Sequence, residues 1–217
     1  MMYRGITFGN KHSFTDYGLK PVKFSEPVPE QRKASLVVPG MHGSLDLSKA
    51  ITGYVTYENR KLEYVFTLRA VTPEEFEMKI FQIRNELDGT ELRITNDCRP
   101  GFYFVGVLSV SGEFDPEEVD HEVTITVDAE PFAYKTNHTV VQENVSGEKT
   151  IICSNARMEV IPVITCTSGC AITYRGVRYT LSAGEHLYPD ILFQQGENQL
   201  VVSGTTTIKF EYQEGAF

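Results

Sequence analysis

Short runs of alternating apolar and polar residues, separated by glycine, proline and asparagine, recur along nearly the whole chain. In the clearest run, large apolar side chains stand at every second position: Leu62, Tyr64, Phe66 and Leu68. Because a β-strand points successive side chains to opposite faces, this period predicts a strand over 61–69 with one buried face. The same pattern predicts strands over 101–110 and 122–127. Such a chain favours sandwiches or barrels over alternating α/β units.

One segment has helical spacing instead. Its apolar residues recur every three or four positions: Phe76, Ile80, Ile83 and Leu87. The preceding Thr72 to Glu75 supplies a capping threonine, a proline at the first helical position and the glutamate of a capping box. Val71 is spaced to form a hydrophobic staple with Phe76, and Gly89 can adopt a left-handed conformation after the last turn. The sequence therefore predicts a helix over about 73–88.

The composition changes after residue 131, where charged residues thin out and Thr and Val increase. We expect two domains, 1–135 and 136–217, with the polar stretch 135–147 acting as a linker that leads into a first strand. Glycine-containing turns, Ser203-Gly204 among them, separate the strands predicted in the second domain: 160–166, 170–175, 177–181, 191–193, 199–202 and 206–212. This spacing is typical of a β-sandwich, so the expected fold is mainly all-β, with two sandwich-like domains.

Charge and hydropathy bear on two classes of function. The formal net charge is −9, of which residues 1–131 contribute −7 and residues 132–217 contribute −2. No basic cluster is visible, so specific nucleic-acid binding is not expected. No run approaches the ~20 apolar residues of a membrane-spanning helix, and no apolar secretion segment follows the first residues. We therefore expect synthesis in a cytoplasm and no membrane partner.

Four cysteines are irregularly spaced: Cys98, Cys153, Cys166 and Cys170. Their number favours reduced, buried thiols over a disulfide framework. Two alternatives stay open, namely a cross-strand pair between Cys166 and Cys170 and a zinc site completed by Cys153 and His186. Neither spacing matches a C-x-x-C ligand pair, so no metal or cofactor is predicted.

Three features suggest chemistry or binding. The segment 40–46 places a His, a Ser and an Asp close together, although triads usually draw their members from separate loops, and a glycine-supported turn is the alternative. The segment 113–122 carries six carboxylates without a Lys or Arg, which suits a solvated acidic turn or a hydrolase pair. Exposed Tyr or Phe rings could stack on sugars, so a carbohydrate-binding module is the third alternative.

An ordered series of short motifs runs along the chain. In the N-terminal part these motifs are Tyr3 to Ser13, Asp16-Tyr17-Gly18-Leu19, Asp46 to Gly53, Tyr57-Glu58-Asn59-Arg60 and Pro100-Gly101-Phe102-Tyr103. In the C-terminal part they are Tyr174 to Tyr179 and Gly196 to Leu200. The series resembles the distal tail (Dit) proteins of long-tailed siphophages over nearly the whole chain, although each match is short.

The resemblance implies a structural protein of a phage or prophage tail tip and baseplate, not an enzyme. It implies a homo-hexameric ring in which N-terminal domains form a belt joining the tail tube protein to a tail-associated baseplate protein. Galectin-like C-terminal domains would project outward, and the protein would reside in the virion after assembly in the host cytoplasm.

The ring gives two sets of residues an expected role. Closed rings use two different complementary surfaces per subunit. We expect the segment Glu26 to Leu45 to form a hairpin arm that reaches a neighbour through Leu36, Val37, Val38, Met41 and His42. We expect a second set to face the channel, where like charge repels DNA: Glu113, Asp115, Glu117, Glu118 and Asp120.

Overall fold

A computed structural model of the protein describes residues 4–50 and 53–217. Three residues of the motif series, Tyr3, Ile51 and Thr52, lie outside the described residues. Two compact units divide the chain, unit 1 from Met1 to Ala133 and unit 2 from Tyr134 to Phe217. The fold is mainly β, with sandwich-like units and a helix in unit 1, as the sequence predicts.

Unit 1 is built on an antiparallel sheet. Its strands are β1 (Ile6–Phe8), β2 (Lys11–His12), β3 (Lys20–Ser25), β4 (Ser35–Leu36), β5 (Leu45–Asp46), β6 (Arg60–Arg69), β7 (Glu91–Asn96), β8 (Phe102–Gly112) and β9 (Asp120–Ala129). Seven strands pair in the order β2-β1-β7-β8-β9-β6-β3, and β4 pairs separately with β5. The predicted alternation is confirmed in β6, where the four predicted apolar side chains are buried and the residues between them are at least partly exposed.

The helix α1 (Pro73–Leu87) ends one residue before the predicted limit. Thr72 Oγ1 accepts a hydrogen bond from the Glu75 amide at 3.2 Å, and the Glu75 carboxylate accepts one from the Val71 amide at 2.9 Å. The predicted staple is wrong: Val71 is 71% exposed, because the chain enters the helix with this side chain turned outward. Gly89 has the left-handed conformation predicted after the last turn.

Unit 2 is also a β structure. The remaining strands are β10 (Ala133–Lys135), β11 (Thr139–Asn155), β12 (Val163–Cys166), β13 (Cys170–Tyr174), β14 (Val177–Leu181), β15 (Gly184–Leu187), β16 (Gly196–Tyr212) and β17 (Gly215–Ala216). The main sheet has the order β14-β13-β16-β12-β15, and β11 also pairs with β16. A separate apolar core fills this unit, with Phe193, Phe210 and Tyr212 among its largest side chains.

Three local predictions in unit 2 are wrong. The stretch 135–147 is not a linker, because β11 begins at Thr139 and pairs with β16 along all 17 of its residues. The expected turn at Ser203-Gly204 lies inside β16, where Gly204 pairs with Gly147 of the antiparallel strand β11. The segment 191–193 is not a strand, since Phe193 makes only an isolated bridge to Val160.

Candidate assembly surfaces

The predicted hairpin arm is present and projects from unit 1. Every residue from 31 to 47 is exposed. At its tip region Ser35 pairs with Asp46 and Leu36 with Leu45. At its base the Arg32 guanidinium lies 3.1 Å from the Glu58 carboxylate. The arm therefore has a ladder of its own but packs against no core.

The arm carries an unusual share of apolar surface. Its exposed apolar side chains are Leu36, Val37, Val38, Met41, Leu45 and Leu47, with Val37 at 73% exposure. His42, the remaining residue predicted for the interface, is exposed on the same arm. Contiguous exposed apolar side chains mark interaction surfaces, because water solvates them poorly. The five predicted interface residues thus lie together, on a surface suited to burial by a partner.

The His and Ser of segment 40–46 lie in the bend of this arm, whereas Asp46 lies in β5 and pairs with Ser35. Gly40 and Gly43 both have positive φ values, which other residues rarely adopt. The Asp46 carboxylate accepts a hydrogen bond from the Ser48 amide at 2.9 Å, and hydrogen bonds from Ser48 lower the pKa of this carboxyl. Asp46 is therefore engaged in local turn structure.

A buried cluster fixes the root of the arm. Arg60 lies with its guanidinium 4.3 Å from the Phe104 ring centroid and donates from Nη1 to the Pro27 carbonyl at 3.2 Å. Burial lowers the pKa of Arg60 to about 10. The neighbouring Glu26 carboxylate accepts hydrogen bonds from Tyr64 and Asn96. Because these partners hold residues 26 and 27, the arm leaves the unit from a fixed point.

The predicted acidic segment lines an open groove of about 740 Å³ at the loop that connects β8 to β9. The groove contains the carboxylates Glu113, Asp115, Glu118, Asp120 and Glu122, and no Lys or Arg lines it. Glu117 lies outside the lining. A concave surface of one sign concentrates the field, so this groove repels phosphate and attracts cationic groups.

His121 organises the acidic segment, a role that sequence reasoning missed. Its Nδ1 accepts from the Asp115 amide at 3.2 Å, and its Nε2 lies 3.0 Å from the Ala70 carbonyl. The buried ring packs against Phe114 and Phe76, with centroid distances of 4.6 and 5.1 Å. The loop is therefore held against the first turn of α1.

Helix α1 presents a second apolar surface that the sequence reasoning did not identify. Met78 and Phe81 are 73% and 67% exposed, and Val71, which precedes the helix, is 71% exposed. The helical spacing contained this information, because positions 78 and 81 fall outside the buried stripe at 76, 80, 83 and 87. A helix in a monomer would ordinarily carry polar residues there.

Unit 2 carries a group of rings at its surface. Tyr179 and Tyr188 have ring centroids 5.3 Å apart, and His186 stacks on Tyr188 at 6.1 Å. All three are partly exposed. Partly exposed aromatic faces can bind an apolar ligand face such as that of a sugar.

The described residues contain no group of three or more His, Cys, Asp or Glu placed to hold a metal ion. Cys166 instead donates from Sγ to the Ser182 carbonyl at 2.9 Å, and His186 Nε2 lies 2.8 Å from the same oxygen. Within the described parts of the chain, no helix is long and apolar enough to cross a membrane.

Taken over both units, this mainly β fold is similar to that of a phage distal tail protein. The resemblance read from the sequence is thus confirmed at the level of the fold. A solved structure with this fold is the Dit protein (gp 19.1) of phage SPP1, described as a paradigm of the hub adsorption apparatus in phages that infect Gram-positive bacteria. It matches with a TM-score of 0.66 and 14% identity, over 98% of this chain and 99% of the SPP1 chain. No protein-family model matches the sequence, and no curated protein matches it.

Proposed function

We propose that this protein is a structural hub at the tip of a phage or prophage tail. The observation that carries the proposal is the similarity to a hub protein, which extends over both chains almost completely. Similarity limited to one unit would fit many β proteins, because common folds host many functions. Here both units and their order along the chain correspond.

The proposed hub is a ring of six copies that joins the tail tube protein to a tail-associated baseplate protein. Residues 1–135 form the belt, and residues 136–217 form galectin-like domains directed outward. The exposed apolar arm supports this assembly, because a closed ring needs a surface on each subunit that fits a different surface on the next. The ring would reside in the virion after assembly in the host cytoplasm.

Deleting Ala34 to Ser44 tests the contribution of the arm. The root cluster at Arg60 and Glu26 stays intact in this variant, so unit 1 should fold. We expect light scattering to show a ring for the full-length chain and single chains for the variant. A matched control is Ile152→Asp, which changes an exposed apolar residue of unit 2 and should leave the ring intact. A ring that closes without the arm would contradict the proposed interface.

We also propose that the acidic groove faces the channel, where it repels passing DNA. Salt screens exposed charges beyond ~8 Å, so repulsion acts only where DNA passes close to the wall. Replacing Glu117 by Cys in a Cys98→Ser background gives a specific attachment point for a small gold label. Images of the labelled ring should show gold around the channel, whereas gold on the outer rim would contradict this placement.

Carbohydrate binding at the surface of unit 2 is a second candidate function. It is favoured by the group formed by Tyr179, His186 and Tyr188. A glycan array that retains a sugar with the natural chain and loses it with Tyr188→Ala would support this function. Equal signals from the two chains, or none from either, would reject it.

A further inference from the structure

We propose that the outer face of helix α1 is the docking surface for the arm of the next copy in the ring. This inference rests on the proposed ring. The docking surface consists of Val71, Met78 and Phe81, and its occupant is the arm segment Leu36 to Met41 of a second copy. The proposal pairs the two exposed apolar surfaces of unit 1, the arm and the outer face of α1, with each other across neighbouring copies.

The exposed apolar residues of α1 are not needed for the core of their own unit. The opposite stripe of the helix already fills that core: Phe76, Ile80, Ile83 and Leu87 are buried. Met78 and Phe81 lie one turn apart on the outside, and neither is covered by the arm of the same chain. Each surface would therefore stay in contact with water unless a second molecule covers it.

The positions of the two surfaces suit a head-to-tail contact. The second limb of the arm leads into Arg60, the first residue of β6, and Val71 follows two residues after the last, Arg69. A strand of 10 residues spans roughly 30 Å at ~3.3 Å per residue. The root of the arm and the start of the docking surface are thus separated by about the length of β6. An arm that projects from one end can meet the helix of the next copy, as a heterologous ring requires.

Charge on the two segments is complementary. Segment 73–88 carries five carboxylates and two basic groups, and Glu74 and Glu77 are exposed beside Met78. The exposed arm residues 31–47 carry two basic groups and one carboxylate; Lys33 is exposed, whereas Arg32 pairs with Glu58 at the base of the arm. Opposite charges around an apolar contact set its orientation and disfavour contact between two arms or two helices. This complementarity favours a second copy of the chain over an unrelated acidic partner.

Disulfide trapping tests the contact directly. The test chain carries Val37→Cys and Phe81→Cys in a Cys98→Ser background, which removes the exposed native thiol. Under mild oxidation with oxidised glutathione we expect a ladder of covalent oligomers on a non-reducing gel. The matched control pairs Val37→Cys with Val177→Cys, an exposed position of unit 2. Because neighbouring sites in an assembly have effective concentrations in the mM range, the test pair should give at least about tenfold more cross-linked chain than the control.

A mixture of two chains that each carry one introduced cysteine in the Cys98→Ser background gives a sharper readout. Each arm would meet one helix, so mixing Val37→Cys chains with Phe81→Cys chains should yield covalent dimers but no larger covalent oligomers. Phe81→Asp should remove the ring while leaving the melting temperature of dilute, monomeric chains unchanged, since this side chain is mostly exposed.

The outcomes separate this inference from the proposed function. If the natural chain forms a ring but the test pair cross-links no more than the control, the docking surface is wrong and the hub proposal stands. The same conclusion follows if Phe81→Asp still forms the ring. A natural chain that remains monomeric at every concentration would overturn both.

Discussion

At the scale of single residues, two phenylalanines of helix α1 have opposite environments. Phe76 is fully buried beside Phe114 and His121, whereas Phe81 points into solvent. Truncating a buried phenylalanine removes its packing and leaves a cavity, so Phe76→Ala should lower the free energy of unfolding by about 3–5 kcal/mol. Phe81→Ala should change it by less than about 0.5 kcal/mol. Urea unfolding of dilute, monomeric chains measures both, and equal losses would contradict the assigned packing.

The cysteines give a second residue-scale prediction. Cys98 is exposed, whereas Cys153, Cys166 and Cys170 are buried. Only an accessible thiolate reacts quickly with a thiol reagent, so one thiol per native chain should react at pH 8 and all four after denaturation. Cys98→Ser should abolish the fast reaction. Rapid labelling of three or four native thiols would show that unit 2 is more open than described.

Burial of Cys153 also makes a prediction about pH. Burial raises the pKa of this thiol from 9.0 to about 12, so the unfolded chain releases the proton first. The contribution of this group to stability is complete below pH 9 and is lost as the pH rises from 9 to 12. We expect the free energy of unfolding to fall over this range, and the fall should be smaller in Cys153→Ala. An identical pH dependence in the two chains would contradict the assignment.

At the scale of elements, the cap of α1 is open to test. Thr72 Oγ1 satisfies the Glu75 amide, which has no partner within the helix. Thr72→Ala should therefore cost about 1 kcal/mol of unfolding free energy, whereas Thr72→Ser keeps the hydroxyl and should cost much less. Calorimetric melting compares the two variants. The cap would be unimportant if both melt at the temperature of the natural chain.

Some strands and helices could be predicted from the sequence and others could not. Strand β6 and helix α1 each bury one face, and this burial imposes a hydrophobic period that can be read directly. The antiparallel pair of β11 and β16 differs, because residues 146–150 of β11 are exposed on both faces. No hydrophobic period marks such a segment, and its backbone pairing with β16 determines the strand. Ser203-Gly204 resembles a turn in the sequence because no hydrophobic period marks the strand there, although β16 continues through it.

Some of the candidate surfaces could likewise be predicted from the sequence, and others could not. The arm and the acidic segment are continuous in sequence, so their residues could be named in advance. The docking face of α1 needs the knowledge that Met78 and Phe81 stay exposed, which depends on tertiary packing. His121 acts through the Ala70 carbonyl, 51 residues away, and no local pattern indicates that contact.

At the scale of the whole molecule, each unit has its own apolar core, while unit 1 also exposes an apolar arm and an apolar helix face. This surplus of exposed apolar surface is hard to explain for a monomer and is expected for a subunit of a closed ring. The proposed docking of the arm on α1 of the next copy would account for both surfaces with one contact, repeated around the ring.

The mass of the purified protein in solution tests the central claim most directly. Six chains of 24.4 kDa would form a particle of about 146 kDa, and a ring with a central channel should be visible in negative-stain images. Light scattering at micromolar concentration, combined with those images, measures both properties. A particle of about 146 kDa with a channel is the predicted result. A species that stays at 24.4 kDa at every concentration, or one that grows into open filaments, would contradict the account.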